Sequence, residues 1–153
     1  MTQEHIMKKR MIRAIILSVI TSVALAVFIG LYIDATRRVQ ETYREQFNAN
    51  LAHTIQAIDA YNSAEGDFEL RYRRIVSEMS SANSFAFLLD NLTENQKVSI
   101  NELNACLLKY PQQMQDTGNL EALRQSLDDM QNNLDKGFEE AENLVSGIDK
   151  KGY

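Results

Sequence analysis

Residues 14–33 read AIILSVITSVALAVFIGLYI, the longest stretch of this chain without a charged side chain. A helix rises about 1.5 Å per residue, so a run of this length covers the roughly 30 Å hydrocarbon core of a bilayer. The stretch therefore predicts one transmembrane helix. It divides the chain into a basic N-terminal segment (residues 1–13), a membrane span (residues 14–33) and a polar domain (residues 34–153).

The charges on either side of the span predict its orientation. Residues 1–13 carry four basic residues against Glu4, a net charge of +3. Short segments rich in lysine and arginine stay in the cytoplasm, although Arg37, Arg38 and Arg44 also follow the span. We therefore expect a single-pass protein of the plasma membrane, with its N-terminus in the cytoplasm and its polar domain outside.

A cleaved secretory signal peptide is the alternative interpretation of the same run. Ala24-Leu25-Ala26 matches the small-x-small pattern that precedes a cleavage site. The apolar run continues from Val27 to Ile33, however, where a mature protein would begin with polar residues. This continuation favours an uncleaved signal anchor over cleavage after Ala26.

Small residues recur at every fourth position of the span and fall on one helix face. Small side chains let a second helix approach closely, which is how apolar helices associate in lipid. The pattern predicts association with a second copy of the chain or with another envelope protein. The alternative is a chance alignment of residues that are common in membrane helices. The residues of this small-residue stripe are Ala14, Ser18, Ser22, Ala26 and Gly30.

Apolar residues also recur at helical spacing throughout the polar domain. Four periodic segments follow one another with short connections, and little glycine or proline interrupts them. This arrangement predicts an all-α fold, in which the membrane helix continues into an antiparallel four-helix bundle. The segments cover residues 35–62, 67–91, 93–110 and 119–148.

Local signals refine two of these helices. Thr93 with Gln96 three residues later forms a capping-box pattern that opens the third helix, and Pro111 ends or kinks it. The fourth segment alternates apolar steps of three and four, which predicts one continuous helix with coiled-coil packing. Its apolar stripe is Leu120, Leu123, Leu127, Met130, Leu134, Phe138, Ala141, Leu144 and Ile148.

The composition excludes several classes of function. The chain has 16 basic and 21 acidic residues, and subtracting residues 1–13 leaves 12 and 20, a net charge of −8. We expect such an acidic domain to bind nucleic acid poorly, because phosphate binding needs a basic surface. His5 and His53 lie on opposite sides of the predicted membrane, and no catalytic, phosphate-binding or metal-binding motif occurs. We expect no enzyme activity, catalytic residue, cofactor or metal.

Cys106 is the only cysteine, which excludes a disulfide bond within the chain. We expect it to be a small buried apolar residue on a helix face. The alternative is an intermolecular disulfide in an oxidising compartment.

Three arginines, Arg71, Arg73 and Arg74, flank Tyr72 near the start of the second helix of the domain. Guanidinium groups bind carboxylates through paired hydrogen bonds, so the cluster is a candidate site for a small anionic ligand. The simpler interpretation is a solvated basic surface that nearby glutamates balance. These glutamates are Glu65, Glu69 and Glu78.

A short basic N-terminus and a membrane helix that leads directly into a long bundle helix resemble the extracytoplasmic part of bacterial chemoreceptors. That family also has a second membrane helix and a cytoplasmic signalling region, which this sequence does not contain. We therefore expect a non-enzymatic membrane protein whose helical bundle is an interaction or scaffold module of the cell envelope. The alternative, which the resemblance implies, is a ligand-binding sensor or accessory domain.

Overall fold

The order of helices was obtained from a computed structural model, which describes residues 3–150 apart from the side chain of Glu4. That range contains helices and no strand, so the prediction of an all-α chain is confirmed. Residues 1–2 and 151–153, which the predicted segments 1–13 and 34–153 include, lie outside it. The helices are α1 (Gln3–Asn62), α2 (Phe68–Ala86), α3 (Glu94–Lys109), α4 (Pro111–Met114), α5 (Thr117–Asn132) and α6 (Phe138–Gly147).

The chain divides into two structural units, residues 1–39 and 40–153. The first unit consists of the N-terminal part of α1, and every side chain described in it is exposed. Its mean hydropathy reaches 2.6, and none of that apolar window is buried by the rest of the chain. This helix is long and apolar enough to cross a membrane, a property that an N-terminal signal sequence shares.

The second unit begins with the C-terminal part of α1, whose residues Phe47, Leu51 and Ile58 are completely buried. The contacts of α1 with α2 follow opposite chain order. The ring of Tyr43 lies 6.3 Å from that of Phe85, and the ring of Tyr61 lies 6.3 Å from that of Tyr72. The hydrophobic effect of burying these large side chains is the main source of the unit's stability.

Helices α2 and α3 pack against each other around a small polar network. The Ser80 hydroxyl donates a 2.9 Å hydrogen bond to the Asn104 side chain, and the Asn83 amide donates one of 3.2 Å to Asn101. These bonds link side chains of the two helices, whereas the Asn83 side-chain oxygen is inaccessible to solvent and has no hydrogen-bond partner.

The capping box predicted for α3 is confirmed. The Gln96 backbone N–H donates to the Thr93 hydroxyl at 3.3 Å, and the Thr93 backbone N–H donates to the Gln96 side-chain oxygen at 2.9 Å. Two of the N–H groups that a helix start leaves without partners are thereby satisfied. Pro111 occupies the first position of α4, where its missing N–H costs nothing.

The prediction of one continuous helix over residues 119–148 is wrong. The chain forms α5 and α6, which pack against each other, and a turn at residues 133–137 separates them. Asn133 is extended and accepts a hydrogen bond from the Asp135 backbone N–H at 2.9 Å, so its side chain competes with helix formation. Gly137 adopts a left-handed conformation with φ 84°. The predicted apolar stripe still faces the core, with Leu134 and Phe138 partly buried.

Helix α2 is shorter than predicted and ends at Ala86 rather than near residue 91. After α2 the chain forms a turn with hydrogen bonds between residues three apart. The Leu88 N–H donates to the Phe85 carbonyl, and the Leu89 N–H donates to the Ala86 carbonyl. Leu89 returns to the core, while Phe87 and Leu88 are about half exposed. The loop that joins α2 to α3 therefore presents two large apolar side chains on its surface.

Candidate functional site

The small-residue stripe lies open on the surface of α1. Gly30 has free space around it, since a Cβ atom added there would meet no atom within 4 Å. The Thr21 hydroxyl, at the edge of the stripe, donates a 2.9 Å hydrogen bond to the Leu17 carbonyl and so leaves no donor free. The N-terminal part of the stripe lines a shallow groove whose residues are Ala14, Leu17, Ser18, Thr21, Ser22 and Leu25.

Arg71, the first arginine of the predicted anion site, makes hydrogen bonds to backbone carbonyls. Its guanidinium donates to the Ala60 carbonyl at 3.1 Å and to the Gly66 carbonyl at 3.2 Å. Ala60 lies in the last turn of α1, where carbonyl groups lack helical partners. Arg71 thus caps the C-terminal end of α1 and links it to the α1–α2 connection.

Arg73 and Arg74 lie in ion pairs along their own helix. Arg73 pairs with Glu69, and the Arg74 Nε atom lies 3.9 Å from a Glu78 carboxylate oxygen. Both arginine side chains are exposed, where such pairs contribute little to stability. An anionic ligand would have to displace these partners, and the site remains a prediction.

A polar groove that the sequence did not reveal lies in the second unit and has a volume of about 430 Å³. Helix α1 contributes Arg44 and Asn48, which are one helical turn apart, and the α2–α3 loop contributes Asn91. The end of α5 and the turn after it form the remaining wall. We call this site the amide groove, and its lining residues are Arg44, Asn48, Asn91, Gln131, Asn132, Asn133, Leu134 and Asp135.

Asn48, which lines the amide groove, has one side-chain atom without a partner. Its side-chain oxygen is inaccessible to solvent and has no hydrogen-bond partner. Leaving such a group without a donor costs about 1–3 kcal/mol, and a molecule in the groove does not reach the oxygen in this conformation. Arg44 and Asp135 supply opposite charges to the same groove, and both are exposed.

Hydrogen bonds from α3 and within the turn hold one wall of the amide groove. The Gln96 amide of α3 donates to the Leu134 carbonyl at 3.1 Å, and the Asn133 side chain holds the Asp135 backbone. The wall exists only because the helix breaks at residues 133–137. The run of amides Gln131, Asn132 and Asn133, followed by a glycine at residue 137, is the sequence signal that could have indicated the break.

Gln40 attaches the α2–α3 loop to α1 with both ends of its carboxamide. The Gln40 Nε2 donates to the Leu88 carbonyl at 3.1 Å, and its Oε1 accepts from the Asp90 N–H at 3.1 Å. The two bonds hold the backbone of the α2–α3 loop against α1. They also fix the exposed Phe87 and Leu88 close to the start of the second unit.

Two buried titratable groups lie near the C-terminal end of α3. Cys106 is only 3% exposed, which agrees with the expectation of a buried apolar residue, and burial raises the pKa of its thiol although nearby Lys150 opposes the shift. Burial also raises the pKa of the Tyr72 hydroxyl. Raised pKa values keep both groups protonated and neutral, as an apolar surrounding requires.

Comparison with known proteins gives no information about the function of this chain. No protein-family model, no curated protein and no solved structure matches this chain.

Proposed function

We propose that this chain is a membrane-anchored, non-enzymatic interaction module of the cell envelope. The observation that carries the proposal is the apolar part of α1, none of which the rest of the chain buries. An apolar helix of this length needs an apolar surrounding, and a bilayer provides one. The basic N-terminal segment supports a cytoplasmic N-terminus and a domain outside the cytoplasm.

The small-residue stripe supports a second part of the proposal, association of the anchor with another helix. The stripe is exposed, and the space beside Gly30 is open. Close approach of a second backbone along such a stripe yields van der Waals contact that lipid tails cannot match. The partner is a second copy of the chain or another envelope protein.

The polar domain is proposed to be an antiparallel bundle, in which α5 and α6 together take the place of the fourth helix. The ring contacts between α1 and α2 support opposite directions for these two helices. Between α2 and α3, Tyr72 contacts Leu107 whereas Ser80 contacts Asn104, which again follows opposite chain order. Short connections between helices are typical of such bundles.

Membrane residence is tested on the full chain in isolated membranes. We expect the protein to resist extraction by alkaline carbonate and to keep its intact mass of 17.5 kDa. A tag at the C-terminus should be digested by protease only from the outer side. A soluble protein that begins after Ala26 would overturn the anchor, and a tag protected from outside would overturn the orientation.

Association through the anchor is tested by substitution on two faces of the same helix. Ser22→Leu should abolish crosslinking of the full chain in membranes, because the larger side chain separates the helices. Val23→Leu, one position along, lies off the stripe and should leave crosslinking unchanged. Equal crosslinking of both variants and the unmodified chain would refute the role of the stripe.

A ligand-binding sensor is the second candidate function, and the amide groove is the observation that favours it. The groove has a volume of about 430 Å³, which is within the range of small-molecule sites, and Arg44 and Asp135 place opposite charges in its lining.

A further inference from the structure

We infer that a cluster of basic side chains at the start of α1 binds the headgroups of anionic phospholipids at the membrane surface. The inference rests on the proposed membrane anchor and adds the class of lipid that the anchor selects. All side chains of the cluster are exposed, on a continuous helix that begins at Gln3 and includes the span. We call the cluster the basic collar, and its residues are Lys8, Lys9, Arg10 and Arg13.

The distance of the basic collar from the span places it at the depth of the lipid phosphates. Arg13 directly precedes Ala14, the first residue of the span. Lys9 lies about 7.5 Å before Ala14 at the helical rise, for a helix normal to the bilayer. The headgroup layer is roughly 5–8 Å thick on each side of the hydrocarbon core. Because the helix is continuous, the span holds these basic side chains within that layer.

The charges of the basic collar are concentrated and lack acidic partners in the described structure. Lys9 and Arg13 are four residues apart and Arg10 and Arg13 are three apart, so all three share one helix face. Like charges at these spacings destabilise a helix. Among the side chains described within residues 3–150, no ion pair involves any of the three. Anionic headgroups would supply the compensating charge.

The other end of the span carries less positive charge. Residues 34–38 contain one acidic and two basic residues, and Arg38 pairs with Asp34 at 2.7 Å. Residues 8–13 contain four basic residues and no acidic one. Each basic residue near a membrane surface adds to the attraction for anionic lipid. The N-terminal flank of the span should therefore attract anionic lipid more strongly than the C-terminal flank.

An apolar surface beside the basic collar favours lipid over other polyanions. Met7 and Met11 are one helical turn apart on the side opposite Lys9, and their side chains are 71% and 61% exposed. A nucleic acid or an acidic protein would cover the charges and leave both methionines in water. The boundary between headgroups and acyl chains accepts both surfaces, because it offers phosphates beside apolar chains.

The inference is tested on the full chain in phosphatidylcholine vesicles in which about one fifth of the lipid is phosphatidylglycerol. The chain contains no tryptophan, so Met11→Trp places a single fluorescent probe beside the basic collar. Two samples have the same bromine content and differ only in which of the two lipids carries the bromine that quenches tryptophan. We expect brominated phosphatidylglycerol to quench at least about twofold more strongly than brominated phosphatidylcholine. At about 1 M salt, where the screening length is about 3 Å, the difference should disappear.

Matched substitutions in the Met11→Trp chain locate the lipid site. Replacing the three residues of the shared face, as Lys9→Gln, Arg10→Gln and Arg13→Gln together, should abolish the difference between the two brominated lipids. A control variant loses the same charge from exposed positions of the polar domain and should keep the difference. Its substitutions are Lys109→Gln, Lys136→Gln and Lys150→Gln.

The outcomes separate the inference from the proposed anchor. Equal quenching by the two lipids before any change to the basic collar would overturn the inference and leave the anchor intact. Quenching by neither lipid would overturn the anchor, and the inference with it. Loss of the difference in the control variant would assign lipid selection to the charge of the whole chain and refute the role of the basic collar.

Discussion

The Tyr72 hydroxyl donates a 2.8 Å hydrogen bond to the backbone carbonyl of Leu107, from α2 to α3. In a continuing helix that carbonyl would accept from the N–H of the residue four positions later. That residue is Pro111, which has no N–H to donate. Tyr72 therefore supplies the hydrogen bond that the proline removes, and it does so from a neighbouring helix.

Replacing Tyr72 with phenylalanine should reduce the free energy of unfolding by about 1–3 kcal/mol, because the buried Leu107 carbonyl loses its donor. The measurement is urea unfolding of the full chain in micelles, followed by circular dichroism. Tyr110→Phe is the matched control, and we expect it to change stability by less than about 0.5 kcal/mol. Equal effects of the two changes would show that the bond to Leu107 contributes nothing.

Stability should fall at alkaline pH, and Tyr72 and Cys106 should cause part of the loss. Burial raises the pKa of both groups in the folded state, so the folded chain keeps protons that the unfolded chain has lost. Their contribution is complete below the ordinary pKa values, about 8.5 for cysteine and about 10 for tyrosine, and is lost as pH rises above them. Melting temperatures between pH 8 and pH 11 should decline less steeply for Tyr72→Phe and Cys106→Ala. Unchanged slopes in both variants would contradict this prediction.

Gly137→Ala should destabilise the domain by about 2–4 kcal/mol. The residue has φ 84°, a conformation that costs an L-residue roughly 1–2 kcal/mol. A Cβ atom there would also overlap the Ser126 carbonyl oxygen and lie 2.9 Å from the Met130 Cγ atom. Gly147→Ala is the control, because nothing lies within 4 Å of its added Cβ and alanine favours a helix. Urea unfolding of both variants decides the matter, and equal stabilities would be the contrary result.

The two partners of the α3 capping box should differ in their contribution to stability. Thr93→Ala should cost about 1 kcal/mol, as for other helix caps. Gln96→Ala should cost more, because the same amide also donates to the Leu134 carbonyl. Thr117→Ala, in the first turn of α5, removes an exposed threonine that is not the cap and serves as the control. A smaller loss for Gln96→Ala than for Thr93→Ala would contradict the role of the bond to Leu134.

Local signals in the sequence predicted the features that depend on neighbouring residues. The capping box of Thr93 and Gln96 lies within one helical turn, so spacing alone was sufficient. The apolar stripe from Leu120 to Ile148 identified core positions correctly. Apolar steps of three and four residues occur both in one continuous helix and in two helices that a short turn joins. The same spacing concealed the break at residues 133–137, where Asn133 and Gly137 outweigh the periodic pattern.

The amide groove could not be predicted, because its walls meet only in the folded domain. Arg44 and Asp135 are far apart in the sequence and belong to different elements. The role of Arg71 was also not visible, since its hydrogen bond to the Ala60 carbonyl depends on where α1 ends. Spacing reveals which side of a helix is apolar, but it does not reveal which polar side chains a turn brings together.

The rate at which a reagent labels the single buried thiol, Cys106, measures local opening of the fold. Cys106 reacts with a thiol reagent only while α3 separates from its neighbours, since the folded state leaves it 3% exposed. At low reagent concentration the labelling rate gives the free energy of that opening, and at high concentration it gives the opening rate itself. Because no second cysteine competes, labelling of the intact protein can be followed by mass without an engineered label.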